Sequence, residues 1–364
     1  MAAKRPVVVV AVGATVVAIA FLALFGNGAN RPVVTRAGGA APAAPTPPIA
    51  GGDAAPQPDP KLVRAGHPSS DAPRPGEIAA IVGGSVVLLD STDGHTLRTL
   101  ATHTEAMTGG FPHLEGLALT PDGRQVFYAL AGDCGPSTIY RVATDGRTAP
   151  VGILSGVSPA VSPDGRKLAY AVATPGLAPS PTERQCQNAL VVRDLNTGAE
   201  HTWRYPDTPD YSTPLYRSAV ISEIAWAPDS TRLAYTLSYE GDSISILDTE
   251  SETDLSQTEE VVIPDGGGNS SHPAWQASTG LLALFNTRFE CCFDDNYTGP
   301  PRTLLVNPER RLGTPLLAPG RRVTALDFDA SGGHLLFVDG GRLYRRSGTD
   351  APVPLATGVT AADW

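Results

Sequence analysis

Four cysteines, one acidic loop and three acids set in apolar strands are the residues here whose types and spacing could do chemistry. The cysteines are Cys134, Cys186, Cys291 and Cys292. No C-x-x-C spacing and no matched histidine accompany them, which argues against a thiolate metal site. Cys134 and Cys186 fall in equivalent loops of adjacent repeats and are expected to pair. Cys291 and Cys292 would then form a vicinal bridge or stay reduced, although four cysteines allow three connectivities. The acidic loop is Glu290-Cys291-Cys292-Phe293-Asp294-Asp295-Asn296-Tyr297. Calcium takes several oxygen ligands, but this spacing matches no known calcium loop, and solvated acids beside a constrained turn are the simpler reading. Glu290, Phe293, Asp294, Asp295, Asn296 and Tyr297 instead make a candidate binding loop, since loops on a rigid scaffold commonly carry recognition. A second candidate is the stretch from Tyr205 to Tyr216, with Tyr205, Tyr211, Tyr216 and three prolines.

Catalytic constellations are scarce. There is no G-x-S-x-G elbow and no H-E-x-x-H, and the seven histidines are scattered. Glu115, Glu223 and Asp327 lie in strands that could face a central channel. There they could hold a metal, but such acids more often line a wet channel or tie strands together. No catalytic residue, metal or cofactor is expected.

These residues are positioned by a recurring unit that begins at Glu77. Its core is an apolar strand, a P-D-G-type turn and a second apolar strand. Leu117-Ala118-Leu119-Thr120-Pro121-Asp122-Gly123 leads into Val126-Phe127-Tyr128-Ala129. Ala160-Val161-Ser162-Pro163-Asp164-Gly165 leads into Leu168-Ala169-Tyr170-Ala171, and Ile224-Ala225-Trp226-Ala227-Pro228-Asp229-Ser230 into Leu233-Ala234-Tyr235. Weaker copies start at Pro273 and Leu326. Pro presets φ at the first central turn position, Asp bonds its local backbone, and Gly accepts the positive φ that follows. A third strand and a more polar fourth complete each unit, as in Thr138-Ile139-Tyr140-Arg141-Val142. Four antiparallel strands every ~40–50 residues are the signature of a β-propeller. Third strands number six, so six blades are expected over 77–364. The first unit lacks an inner strand. Val359-Thr360-Ala361-Ala362-Asp363-Trp364 echoes the inner strand Val323-Thr324-Ala325-Leu326-Asp327-Phe328, so the last residues should complete the first blade and close the ring. Trp364 would be a core anchor.

The P-D-G turns followed by Leu-Ala-Tyr or a close variant resemble the TolB-like, WD-repeat-related propeller family, from about Glu77 to Trp364. The resemblance implies an all-β fold and a cell-envelope binding scaffold. TolB carries a small α/β domain ahead of its propeller, whereas this sequence has a linker and an apolar segment there. Propellers joined to serine peptidases carry an α/β-hydrolase domain after the ring, and this sequence stops where the ring closes. Six-bladed lactonase-type propellers hold a metal in the channel, which gives the alternative expectation of a metal-dependent hydrolase.

The N-terminal part has a different character. Lys4 and Arg5, within residues 1–6, precede the apolar run 7–25. Roughly 19 helical residues reach about 29 Å, close to the ~30 Å hydrocarbon core of a bilayer. The run is longer than the apolar region of a secretory signal and no clean A-x-A site follows. An uncleaved single-pass anchor is expected, with a cleaved signal as the alternative. The basic residues place the N-terminus inside and the bulk of the chain outside. Residues 26–76 are rich in Ala, Pro and Gly, cannot bury enough apolar surface to fold, and read as a semi-stiff spacer.

Composition agrees. The 364 residues include 38 Gly and 34 Pro, too many for a helical protein and suited to short strands with tight turns. The net charge of −10 makes nucleic acid an unlikely partner. The expected function is a non-enzymatic cell-envelope scaffold that recognises a protein, peptide or envelope polymer and meets the membrane through its N-terminal segment.

Overall fold

The computed structural model describes residues 76–104, 112–132, 137–173, 186–206, 219–238, 241–263, 268–287, 300–310 and 312–364. They form six four-stranded antiparallel sheets. Blade 1 comprises Val359–Asp363, Glu77–Val82, Ser85–Asp90 and Thr96–Thr102, from the inside outward. Blade 2 comprises His113–Leu119, Gln125–Ala131, Thr138–Ala143 and Val151–Leu154. Blade 3 comprises Val157–Val161, Lys167–Val172, Ala189–Asp194 and Glu200–Arg204. Blade 4 comprises Val220–Trp226, Arg232–Ser238, Asp242–Asp248 and Glu259–Glu260. Blade 5 comprises Asn269–Gln276, Leu281–Thr287, Arg302–Asn307 and Leu312–Pro315. Blade 6 comprises Val323–Phe328, His334–Asp339, Arg342–Ser347 and Val353–Thr357.

Each inner strand contacts the next, and that of blade 1 contacts that of blade 2, so the ring closes. Closure runs as expected from the sequence: Val359, Ala361, Ala362 and Asp363 pair with Val82, Ile81, Ala80 and Ala79. The burial pattern explains why these segments became these strands. The second strands, such as Ile78–Ile81, Val126–Ala129 and Leu168–Ala171, are buried on both faces because a blade packs on each side. They therefore read as continuous apolar runs rather than alternating ones. The fourth strands are the outer rim and are mostly exposed, as in Leu312–Pro315. Buried tyrosines of the Leu-Ala-Tyr motif keep their hydroxyls satisfied at the end of the ring. Tyr235 donates to Thr258 Oγ1 at 3.3 Å and Tyr170 to Glu200 Oε1 at 3.1 Å. Burial pushes the Tyr235 hydroxyl up to about 12.

The P-D-G turns take the form expected of them. Gly123 N–H donates to Thr120 O at 2.7 Å, and Arg124 N–H donates to Asp122 Oδ1 at 3.1 Å. Gly123 has φ +65°, the left-handed value that glycine adopts without a Cβ penalty. Ser230 takes the same turn position in blade 4 at φ +59°.

Among the described residues, no helix is long and apolar enough to cross a membrane. The apolar run 7–25 and most of the linker lie outside them.

Candidate functional site

Inner strands set the geometry of the channel, and every one of them is bulged. The register shifts by one residue between Glu115 and Leu117, Val157 and Ala160, Ser222 and Ala225, Ser271 and Ala274, Val323 and Ala325, and opposite Ile81/Val82 in blade 1. An extra residue on one strand leaves a ladder position unpaired and turns its side chain. Three bulges hold a non-glycine residue at positive φ: Ser158 at +52°, Glu223 at +51° and His272 at +56°. Such conformations cost about 1–3 kcal/mol each and persist only where surrounding structure holds them. In blade 2 the position is Gly116. A Cβ there would lie 2.7 Å from Ser158 Cα, so the two inner strands approach too closely for any side chain.

Two chambers result. Six residues, one per blade, line both and form the waist between them: Leu117, Pro159, Ile224, Pro273, Leu326 and Ala362. The upper chamber, at the bulged end, is about 400 Å³ and is walled by Glu115, Ser158, Ser222, Glu223, His272, Thr324 and Thr360 among others. The lower chamber, at the P-D-G end, is about 480 Å³. Its walls include Pro121, Pro163, Pro228, Trp226, Trp275, Phe328, Trp364, Asp327 and Asp363. Among the described residues, no Lys or Arg lines either chamber.

The channel carboxylates reach from blade to blade. Glu223 Oε2 accepts the His272 N–H at 2.8 Å and the Thr236 hydroxyl at 2.7 Å, while Oε1 lies 2.5 Å from His272 Nδ1. This clamps blade 4 to blade 5. Burial pushes the Glu223 carboxyl up, but the bonds from His272 and its charge more than offset that and hold it below the usual range. Glu115 Oε1 accepts from Ser158 Oγ at 3.4 Å, joining blade 2 to blade 3, and Glu115 Oε2 lies 3.4 Å from His113 Nε2. Burial raises this carboxyl, against the opposing charge of His113. Asp327 accepts the Trp364 N–H at 3.1 Å, and Asp363 accepts the Leu119 N–H at 2.5 Å. The remaining junctions use other donors. Trp226 Nε1–H donates to Ala160 O at 3.0 Å, and Gln276 Nε2–H donates to Gly332 O at 2.9 Å.

The sequence placed Glu115, Glu223 and Asp327 at the channel, and all three line it. Glu115 and Glu223 share the upper chamber, while Asp327 lies in the lower one. Their hydrogen bonds are those of strand ties, the reading the sequence favoured over a metal site. Asp363, His272 and Ser158 belong to the same system and were not singled out in the sequence. The echo of Val323–Phe328 in Val359–Trp364 was a usable signal, because it puts Asp327 and Asp363 in register. Among the described residues, the one group of three potential metal ligands within 4.8 Å is Asp90, Asp93 and His95, half-buried to exposed on a turn of blade 1. There Asp90 accepts the Thr92 N–H and Asp93 the His95 N–H, the bonds of a turn.

Of the candidate binding residues, Tyr205 is described. It is half-buried against the core shared by blades 2, 3 and 4. Glu290, Phe293, Asp294, Asp295, Asn296, Tyr297, Tyr211 and Tyr216 lie outside the described residues, as do Cys134, Cys291 and Cys292. Cys186 is disulfide-bonded, and its partner also falls outside them.

No family model and no curated protein matches the sequence. Solved structures do match. TolB from Acinetobacter baumannii is similar with a TM-score of 0.56 and 15% identity, covering 79% of this chain and 66% of that one. This chain thus spans just under two thirds of that TolB's length. A nidogen/laminin complex gives a TM-score of 0.54 and 12% identity, covering 79% of this chain and 97% of the other. A protein from Agrobacterium tumefaciens described as TolB gives 0.51 and 14%, covering 78% and 90%. At these identities the likeness concerns the fold: a TolB-like six-bladed β-propeller.

Proposed function

We propose that this TolB-like propeller is a non-enzymatic binding scaffold of the cell envelope, recognising a protein, peptide or envelope polymer outside the membrane. The observation that carries the reading is the distribution of connections. The three longest, 173–188, 205–219 and 288–301, join second to third strands or fourth to inner strands. By connectivity the strand ends that flank them all lie at the upper-chamber end, and these connections contain both candidate binding loops. The opposite end is built from shorter connections, the longest being 249–258. A rigid ring with its long connections gathered at one mouth is the arrangement of a recognition surface. The channel acids, by contrast, are engaged in joining blades.

Charge narrows the partner. Residues 77–364 carry 34 acidic and 20 basic side chains. Electrostatic complementarity therefore favours a partner with a basic surface. One of the similar structures is itself a protein–protein complex, that of nidogen and laminin, which agrees with a protein ligand. The apolar run 7–25 and the Pro-rich stretch 26–76 are read as an anchor and a spacer that hold the ring off the outer surface of the cytoplasmic membrane. Pairing of Cys186 with Cys134 would tie two loops of the same mouth.

Cross-linking in intact cells, followed by capture of the full chain, tests the reading. A stable partner is expected, and deletion of Asp294–Tyr297 is expected to abolish its recovery. Repeated capture of nothing above background refutes the scaffold role.

A further inference from the structure

The inner strands end on a common pattern that is broken on one side of the ring. The position after the waist residue is Ala118, Ala160, Ala225 and Ala274 in blades 2 to 5, but Asp327 and Asp363 in blades 6 and 1. All six line the lower chamber. Blades 6 and 1 are neighbours in the ring, so the two acids share one wall. The next position along each strand sets Phe328 and Trp364 beside the acids, both half-buried and both lining the chamber. Across the ring stand blades 3 and 4, which offer only apolar side chains, among them Val161, Pro163, Trp226 and Pro228. One wall is thus acidic and aromatic, and the opposite wall is apolar.

We propose that the lower chamber binds an organic cation, an alkylammonium or guanidinium group on a short apolar shank. The charge lies against Asp327, Asp363 and the rings beside them, and the shank against the wall of blades 3 and 4. Aromatic faces attract cations, those of Trp most strongly. At about 480 Å³ the chamber falls within the ~300–1,000 Å³ range of small-ligand pockets.

The surrounding charges leave this wall acidic. Among the described residues, no Lys, Arg or His lines the chamber. Lys167 Nζ and Arg232 Cζ stand 5.6 and 5.4 Å from the ring centres of Trp226 and Trp275. Both are engaged elsewhere, Lys167 donating to Ser230 O at 3.0 Å and Arg232 Nε to Asp229 Oδ2 at 2.8 Å. The third acid of the chamber, Asp329, lies 2.9 Å from His334 Nδ1. Asp327 and Asp363 accept neutral backbone N–H groups, those of Trp364 and Leu119. Burial raises both carboxyls, Asp363 to about 6 and Asp327 well above the usual range, and a cation beside them opposes that shift. Two indole donors in the chamber walls are also unmatched. Trp226 Nε1–H donates to Ala160 O, whereas Trp275 Nε1 and Trp364 Nε1 have no partner among the described residues. Trp275 is 7% exposed, and a buried donor without an acceptor is costly. A metal ion fits less well. Among the described residues, Asp327, Asp329 and Asp363 do not bring three ligand atoms within 4.8 Å of one another, and the rest of the wall is aromatic and aliphatic. The chamber lies at the end of the ring away from the long connections, so it is independent of the scaffold reading.

Indole N–H NMR on the full chain tests the proposal. Three of the four tryptophans, Trp226, Trp275 and Trp364, line the chamber, and Trp203 does not. Titration with butylguanidinium is expected to shift those three and leave Trp203, which donates to Glu252 O, in place. Uncharged 1-pentanol, of similar reach, should need at least ~tenfold higher concentration. Asp363→Asn should raise the butylguanidinium requirement by a similar factor, about tenfold. Should that variant fail to fold, Phe328→Leu, which keeps both acids and removes one ring, is expected to raise it about threefold. A capped Gly-Gly-Arg-Gly-Gly peptide identifies the source: shifts at equal or lower concentration than butylguanidinium assign the chamber to an arginine side chain of a partner, and weaker shifts assign it to a free small cation. An equal response to cation and alcohol, movement of Trp203 with the others, no shift of the three, or the same shifts from calcium chloride at lower concentration overturns the proposal.

Discussion

Removal of Val359–Trp364 should open the ring. This segment supplies the inner strand of blade 1, paired at four positions with Val82, Ile81, Ala80 and Ala79. Val359 is 1% exposed, and its burial contributes about 1.5–3 kcal/mol. The ladder bonds, together with those of Leu119 N–H to Asp363 and Trp364 N–H to Asp327, contribute about 0.5–1.5 kcal/mol each. Ile81 and Ala79, now buried at 2% and 0%, would also meet water. The sum is on the order of 5–10 kcal/mol, comparable with the whole stability of an ordinary domain, about 5–15 kcal/mol. At about 2–4 °C per kcal/mol, the melting temperature should fall by at least ~10 °C. Thermal melts of the full and shortened chains, followed by far-ultraviolet circular dichroism, measure this directly. A synthetic peptide of Val359–Trp364 should restore part of the loss. A shortened chain that melts with the full one would refute closure by the last strand.

The channel latches make two further predictions. Glu223→Gln should lower stability by about 1–3 kcal/mol, because the His272 and Thr236 bonds lose their charged acceptor. The Glu223 carboxyl is held low when folded, so its contribution is present above pH ~4.5 and is lost as pH falls through the folded value. Melting temperatures from pH 3 to 7 should show a steeper acid loss in the unaltered protein than in this variant. Gly116→Ala should lower stability by about 1–3 kcal/mol, since φ is +68° and the new Cβ would meet Ser158 Cα at 2.7 Å. Urea unfolding checks this, and a neutral result would show that the inner strands can separate at that point.

Much of the ring was legible in the sequence because its signals are local. A P-D-G turn is decided within five residues, and Pro121, Asp122 and Gly123 act through their own dihedrals and neighbouring N–H groups. The doubly buried second strands announce themselves as short apolar runs. Closure was legible because the final segment repeats an inner strand and the first repeat lacks one. The tertiary structure alone decided what the channel residues do. Asp363 meets a backbone group 244 positions away, Glu223 one 49 positions away and Glu115 a serine hydroxyl 43 positions away. No sequence pattern names those partners, because they depend on how the bulges turn each side chain and which strand the ring places beside it. Only with the ring closed do scattered acids become ties between blades.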